Sequence, residues 1–591
     1  MQIASPTNSS NVLLLNYAGF QVPLQMTSLS IGTNSSVVAL SSMLEVNIDT
    51  NGNGGIQLGG TVDQGEFAEV KVQGSLQVWH PIQYASDVVP PAAYYLTNGT
   101  LTVNNGEGIG GMRGPGQFVQ YGGNHNVGGH STIYGGGGSI EFDTEAEFDI
   151  YDGQLTATNG IVAGAGDYAD GAYFYQYGGT VNADMSVGGN YYLYGGMLRG
   201  SHFTMALNER SDAHVTQTGG TNSAASMELG HASEFGGGAY YTLSNGVIHV
   251  DTSVTFGGGQ FTQINGQYTI VSNLVMSGAA IEVGVAPADY YLDGGTLSVG
   301  GLTTTLSSTF HQNGGTNYVA GDIVLVAAPP PQNGFLQTDQ YDLAGGFLSA
   351  RNEIVNAAVY GGFRQTGGSN QITEKLTVQG AAPDAFYYTL EGGTLTVKDI
   401  YVGAGAFFQH TSGNIVQSGL LTLDQGEWNA AAGTQSLGPL QLTGGPSTNS
   451  SISFTNGSSI LRLANSSAQP WDSTAILYIT NWHGSVSGDG ETQLFFGSDA
   501  SGLTLQQLAL IKFSLAGGLY PARLLPTGEL VPQMGLLTSS ISGGTLTLTW
   551  GASWTLQSSS NAAGPYEDVQ GANNSFTTSM TNPGQFFRLR Q

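Results

Sequence analysis

The chain has 591 residues, with 91 Gly, 19 Pro and no Cys, and 13 Lys and Arg stand against 41 Asp and Glu. Only 9% of residues are charged, yet 40% are hydrophobic and Tyr and Phe number 28 and 24, so the apolar surface suffices for a large core and disorder through low hydrophobicity is excluded. A formal charge of −28 argues against nucleic acids and anionic membranes, and the lack of Cys excludes disulfides, zinc–thiolate sites and Cys nucleophiles. Gly does not recur every third residue, which excludes collagen. No uninterrupted apolar run approaches the roughly 18 residues of a membrane span. The start, Met1 to Asn11, is polar and lacks the basic and hydrophobic regions of a signal peptide.

Residues 1–90 are read as an N-terminal cap or degenerate coils, with strand-like segments at Ser28–Ile31, Val37–Leu40 and Ala68–Val72. The apolar run Leu13-Leu14-Leu15-Asn16-Tyr17 is a candidate assembly segment. Asp49-x-Asn51-x-Asn53-Gly54 matches the first half of an EF-hand calcium loop, but Gly60 stands where the bidentate Glu belongs. A Gly/Asn turn is therefore the first reading of Asp49, Asn51 and Asn53, and calcium the second.

Residues 91–430 carry a repeat. Tyr290-Tyr-Leu-Asp-Gly-Gly-Thr-Leu297 and Phe310-His-Gln-Asn-Gly-Gly-Thr-Asn317 share an order of aromatic, any residue, anchor, any residue, Gly, Gly. The anchor recurs at Leu96, Gln120, Ile150, Gln176, Leu193, Gln217 and Leu243, and then at Gln263, Leu292, Gln312, Leu343, Gln365, Leu390 and Gln409. These fourteen units alternate strictly between aliphatic and Gln anchors, about 24 residues apart. Two residues before the anchor stands Tyr in aliphatic units, except Phe148, and Phe in Gln units, except Val215. Five residues after the anchor stands an aliphatic residue in the first kind, such as Leu297, and often Asn in the second, including Asn317 and Asn414.

Residues two apart share one face of a strand, and a Gly-Gly pair permits a sharp corner. Short strands with Gly corners at this period predict an all-β fold, a β-solenoid or parallel β-helix of about fourteen units. The expected structural ladder includes Tyr290, Leu292, Leu297, Phe310, Gln312, Asn317, Gln365, Leu390 and Gln409. One coil could hold one unit or two. The shorter coil is favoured, because 24 residues already contain three strand-sized segments.

Within the repeat region Glu141, Asp143, Glu145, Glu147 and Asp149 occupy every second position. On a strand they form one carboxylate face, read first as solvated, second as calcium-binding through Glu141, Asp143 and Glu145, and last as paired glycosidase carboxylates. The ten His never form H-E-x-x-H.

The paired pattern Y-x-L-x-G-G-T-L and F-x-Q-x-G-G-x-N, seen well over residues 385–416, resembles the repeats of large bacterial surface proteins. These are the autotransporter-associated β-strand repeat proteins and the exosortase-sorted, PEP-CTERM-type surface proteins. The resemblance implies an extracellular β-helical stalk or passenger with no shared catalytic residues.

Residues 431–535 change character, and the run from Asn481 to Phe513 resembles the terminal segment of those surface proteins, which implies a C-terminal cap of the solenoid. Thr504-Leu-Gln-Gln507 resembles a capping box and is the convincing helix start of the chain. Residues 536–591 alternate as all-β, through Leu546-Thr-Leu-Thr-Trp550, Trp554-Thr-Leu-Gln557 and Phe586-Phe-Arg-Leu589, and the pattern resembles the small C-terminal β-sandwich module of secreted bacterial proteins.

The expectation is a non-enzymatic, extracellular structural protein of the bacterial cell surface, without a cofactor, that assembles with itself head to tail into a filament. A monomeric adhesin or passenger stalk is the alternative, with cell-surface glycans or other cells as partners. A β-helical carbohydrate-binding or carbohydrate-active protein comes behind it, since such an enzyme breaks its repeat with acidic and basic residues together.

Overall fold

The computed structural model describes the chain outside residues 4–11, 17–22, 33–35, 41, 49–53, 66–67, 80–90, 112–113, 135–144, 165–170, 207–211, 231–237, 282–283, 306–307, 327–339, 358–361, 381–387, 446–448, 455–456, 517, 534–536, 551–553, 581–583 and 591. The regular structure of the described residues is almost all strand, with one helix, Leu505–Ala509. They divide into two compact units, Met1–Asn429 and Ala430–Gln591.

The first unit is a parallel β-solenoid. Ala288–Leu292 leads into Thr296–Thr305, and the chain then returns as Ser308–Gln312 alongside Ala288–Leu292. The pairing is parallel, with Tyr290 opposite Phe310 and Leu292 opposite Gln312. One coil thus contains one repeat unit, the shorter of the two sizes, and aliphatic and Gln anchors alternate in a single column. The corner after the anchor shows why the motif needs glycine. Gly295 has φ +72°, and a Cβ there would lie 2.4 Å from Gly266 O of the preceding coil. A Cβ on Gly294 would come equally close to Ile264 O.

The strand pattern begins before residue 91. Ser28–Ile31 pairs in parallel with Gly55–Leu58, and Thr61–Gln64 lies beside Ala92–Leu96 with Val62 opposite Tyr94 and Gln64 opposite Leu96. Among the described residues the first strands of the stack, Gln2–Ile3, Val12–Asn16 and Leu24–Met26, are paired on one side only.

The second unit also opens with parallel strands. Gly433–Leu437, Ser459–Leu463 and Thr492–Phe496 form one set, and Asn449–Phe454, Ile476–Thr480 and Ile511–Leu515 another. Antiparallel strands Gly518–Leu524 and Glu529–Pro532 then cover the ends of both. The helix between Thr492–Phe496 and Ile511–Leu515 starts at the foreseen capping box: Thr504 N donates to Gln507 Oε1 at 2.8 Å, and Gln507 N donates to Thr504 Oγ1 at 3.1 Å. After residue 537 two three-stranded antiparallel sheets enclose Leu548, Trp550 and Leu556, the small sandwich read from the sequence.

Candidate functional site

Inside the first unit the residues two before each anchor form one column, most of it stacked rings. From Tyr241 through Phe261, Tyr290, Phe310, Tyr341, Phe363, Tyr388 and Phe408 to Trp428, successive centroids lie 4.3–4.9 Å apart with near-parallel planes. A second run links Tyr94, Phe118, Phe148 and Phe174 at 4.7–5.1 Å, with Tyr191 edge-on beyond. Val215 interrupts the column, and Phe203 from the neighbouring sheet fills the gap, 6.5 Å from Tyr191 and 6.2 Å from Tyr241. Such ring pairs add about 0.5–1.5 kcal/mol each to the gain from burial.

The alternation of anchors has a chemical cause. Each Gln amide is buried and needs partners. Gln312 Nε2 donates to Phe347 O of the next coil at 2.9 Å, while Gln312 Oε1 accepts from the hydroxyl of Tyr341 at 2.6 Å. Asn317 Nδ2 in turn donates to the Tyr341 oxygen at 3.1 Å. The same arrangement joins Gln217, Tyr241 and Asn222, and also Gln365, Tyr388 and Asn370. A Gln coil followed by a Tyr coil is therefore the polar repeat of the core. Tyr94 donates to Gln64 at 2.7 Å, so Gln64 is an anchor that the sequence reading missed.

The ladder residues Tyr290, Leu292, Leu297, Phe310, Gln312, Asn317, Gln365 and Leu390 all lie in the buried columns, Leu292 with 0% exposure. Gln409 does not. The register places Phe408 beside Tyr388 and His410 beside Leu390, so Gln409 points outward and accepts from Asn429 Nδ2. His410 takes the anchor position, its Nε2 3.3 Å from Gly413 O as a Gln amide would be. Asn414 is correspondingly exposed, and Ile415 occupies the inner column.

Three ionisable core residues depart from this scheme. Glu107 and His125 are fully buried with Glu107 Oε2 3.0 Å from His125 Nε2, and Ser131 Oγ donates to Glu107 Oε1 at 2.5 Å. His125 stacks on Phe118 at 4.6 Å, at the position where the coils of Gln217, Gln312 and Gln365 carry Asn. Because Ser131 contacts the Glu and not the imidazole, the three do not form a nucleophile–base relay. Glu353 stands between Ile323 and Leu376 in the core, accepts from Asn370 Nδ2 at 3.1 Å, and has an Oε1 without a partner among the described residues. Burial pushes its pKa up to about 8, against the hydrogen bond from Asn370.

Outward from the sheet that carries the ring column and the anchors lies a tyrosine face. Tyr121, Tyr151, Tyr177 and Tyr194 stack along the coils at 4.6–5.3 Å, and Tyr175 stacks on Tyr192 at 4.9 Å. Along one strand Tyr173, Tyr175 and Tyr177 lie side by side at 6.0 and 6.2 Å. Stacked rings cover one another's faces, so this lattice offers edges and hydroxyls to water. The carboxylate run ends within it. Glu147 accepts from Gln117 Nε2 at 3.1 Å. Asp149 is only 5% exposed, with an Oδ1 lacking a partner among the described residues. Burial first and Glu147 second push its pKa up to about 7. Glu145 is exposed, whereas Glu141, Asp143, Asp49, Asn51 and Asn53 lie outside the described residues. Among the described residues no three His, Asp or Glu side chains converge as a metal site.

No family model matches the chain, and the curated proteins contain no significant match to it.

Proposed function

We propose that the chain is an extracellular structural protein whose stacked coils build a scaffold that propagates head to tail. The observation that carries this reading is the edge of the first coil. Gln2–Ile3, Val12–Asn16 and Leu24–Met26 have partners on one side only among the described residues, and Leu14 on this edge is 64% exposed. Unpaired parallel strands template further pairing unless they are covered. The C-terminal sandwich carries an edge of its own: Thr538–Ser542 is exposed throughout and pairs only with Thr545–Thr549 among the described residues. An N-terminal edge meeting this strand of the next copy makes a heterologous contact, which propagates unless it closes as a ring.

The repeat's resemblance to those of bacterial surface proteins supports a place outside the cell. A core built from ring stacks and Gln–Tyr–Asn hydrogen bonds supports a mechanical role. Sedimentation velocity of the full chain tests the reading. Polymers should form as concentration rises, and Leu14→Lys and Ile541→Lys should each disperse them. A native chain that stays monomeric at high concentration refutes assembly and favours the adhesin reading, for which the exposed tyrosine face is the supporting feature.

A further inference from the structure

Five consecutive coils enclose a groove of about 650 Å³ on the outside of the first unit, with residues from Gln267–Ser277, Thr296–Thr305, Thr316–Val319, Phe347–Ala357 and Ser369–Gly380 lining it. Small-ligand sites have volumes of roughly 300–1,000 Å³. The groove's depth has a source in the register. At this corner the coils alternately place two residues and one: Val271-Ser272, Gly300, Ala320-Gly321, Arg351 and Thr373-Glu374. The outer coils carry large side chains there, whereas the central ones carry Gly300, Ala320 and Gly321. A Cβ on Gly300 would lie 2.4 Å from Ser272 O, and one on Gly321 2.6 Å from Gly300 O, so the floor cannot rise.

Tyr318 stands over this floor, 50% exposed. Its register neighbours are Ser298 and Ser349, so no ring from an adjacent coil stacks on it there, and Phe347 holds it edge-to-face at 5.9 Å. Tyr151, by contrast, is sandwiched between Tyr121 and Tyr177. Thr269, Ser298, Ser349 and Thr373 supply hydroxyls along the lining. Both charged residues of the lining are already paired: Arg351 with Asp322 at 3.0 Å and Glu374 with Lys398 at 3.0 Å.

We propose that this groove binds a neutral, extended oligosaccharide running across the coils, with one sugar ring seated on Tyr318. Sugar rings present C–H faces to an aromatic ring and hydroxyls to Ser and Thr, which is the chemistry of this lining. An extended peptide fits less well. It gains affinity by adding to a free sheet edge, and the strands here have both edges taken by neighbouring coils. A charged polymer would have to break the two ion pairs.

Isothermal titration calorimetry of the full chain with cellohexaose, chitohexaose and laminarihexaose, beside polygalacturonate as the charged comparator, tests the site. At least one neutral hexasaccharide should bind. Tyr318→Ala should weaken it about tenfold, the loss of one aromatic contact. Ser349→Arg should block it, and Tyr151→Ala should leave it unchanged. Binding by polygalacturonate alone, no binding at all, or full affinity in either groove variant overturns the proposal.

Discussion

Gln120 and Gln312 hold equivalent anchors but differ in their partners. Gln312 Oε1 receives the Tyr341 hydroxyl, whereas the coil after Gln120 presents Phe148, and Gln120 Oε1 has no partner among the described residues. A buried unsatisfied acceptor costs roughly 1–3 kcal/mol. Phe148→Tyr should restore the missing donor and raise stability by about 1 kcal/mol, read as a higher urea midpoint with an unchanged slope. A lower midpoint would show that the hydroxyl does not reach the amide. Glu353 makes a second residue-scale prediction. Its folded pKa of about 8 lies above its ordinary value of 4.5. Between those values the native state keeps a proton that the unfolded chain releases, so its contribution to stability falls as pH rises through that window. The loss is of order several kcal/mol at pH 8, at about 1.4 kcal/mol per pKa unit. Glu353→Gln should stabilise the chain at pH 8 and scarcely at pH 4.5, and thermal melts at the two values measure the difference.

At the scale of the element, the coil was legible because the positive-φ glycine fixes the anchor three residues before it. Gln312 precedes Gly315, and Leu292 precedes Gly295, in this way. The last unit has a single glycine, Gly413 with φ +93°, and counting back three gives His410 and not Gln409. The sequence reading counted from the aromatic pair Phe407-Phe408, which is ambiguous by one residue. Gln64 escaped because Val62 stands where the motif has its aromatic residue and Phe67 where it has its second glycine. The tyrosine face and the groove were not legible, since they depend on outward positions that the repeat leaves free and on which residues adjacent coils bring together. The alternation itself makes a prediction about coils. Deleting residues 288–307 removes one coil and sets Gln312 on Gln263, which loses the Tyr290 hydroxyl that it accepts at 2.6 Å. Deleting residues 259–307 removes a Gln coil and a Tyr coil together and leaves Gln217 with Tyr241 and Gln312 with Tyr341. Circular dichroism melts should show the longer deletion to be the more stable of the two. The reverse order would mean that the Gln–Tyr pairing does not govern stacking.

In a stack where each coil touches only its neighbours, stability is a sum of nearest-neighbour terms. Interior coils such as those holding Tyr290 and Phe310 are paired on both sides, whereas Val12–Asn16 is paired with Ser36–Leu40 alone among the described residues. The first coil should therefore open at low free energy while the interior resists exchange up to the cost of breaking the stack. Assembly would alter this gradient in one place. If the edge of one copy is covered by the next, amide exchange over Val12–Asn16 and Leu24–Met26 should slow as concentration rises. Exchange over Ala288–Leu292, already protected on both sides, should not change. Leu14→Lys should hold the edge strands at their dilute rate at every concentration, because a charge on the exposed position opposes burial against a second chain. Hydrogen exchange followed by mass spectrometry at several concentrations measures all three. Edge strands whose exchange ignores concentration, in a chain that nonetheless sediments as a polymer, would place the contact elsewhere on the molecule and refute head-to-tail pairing through the first coil.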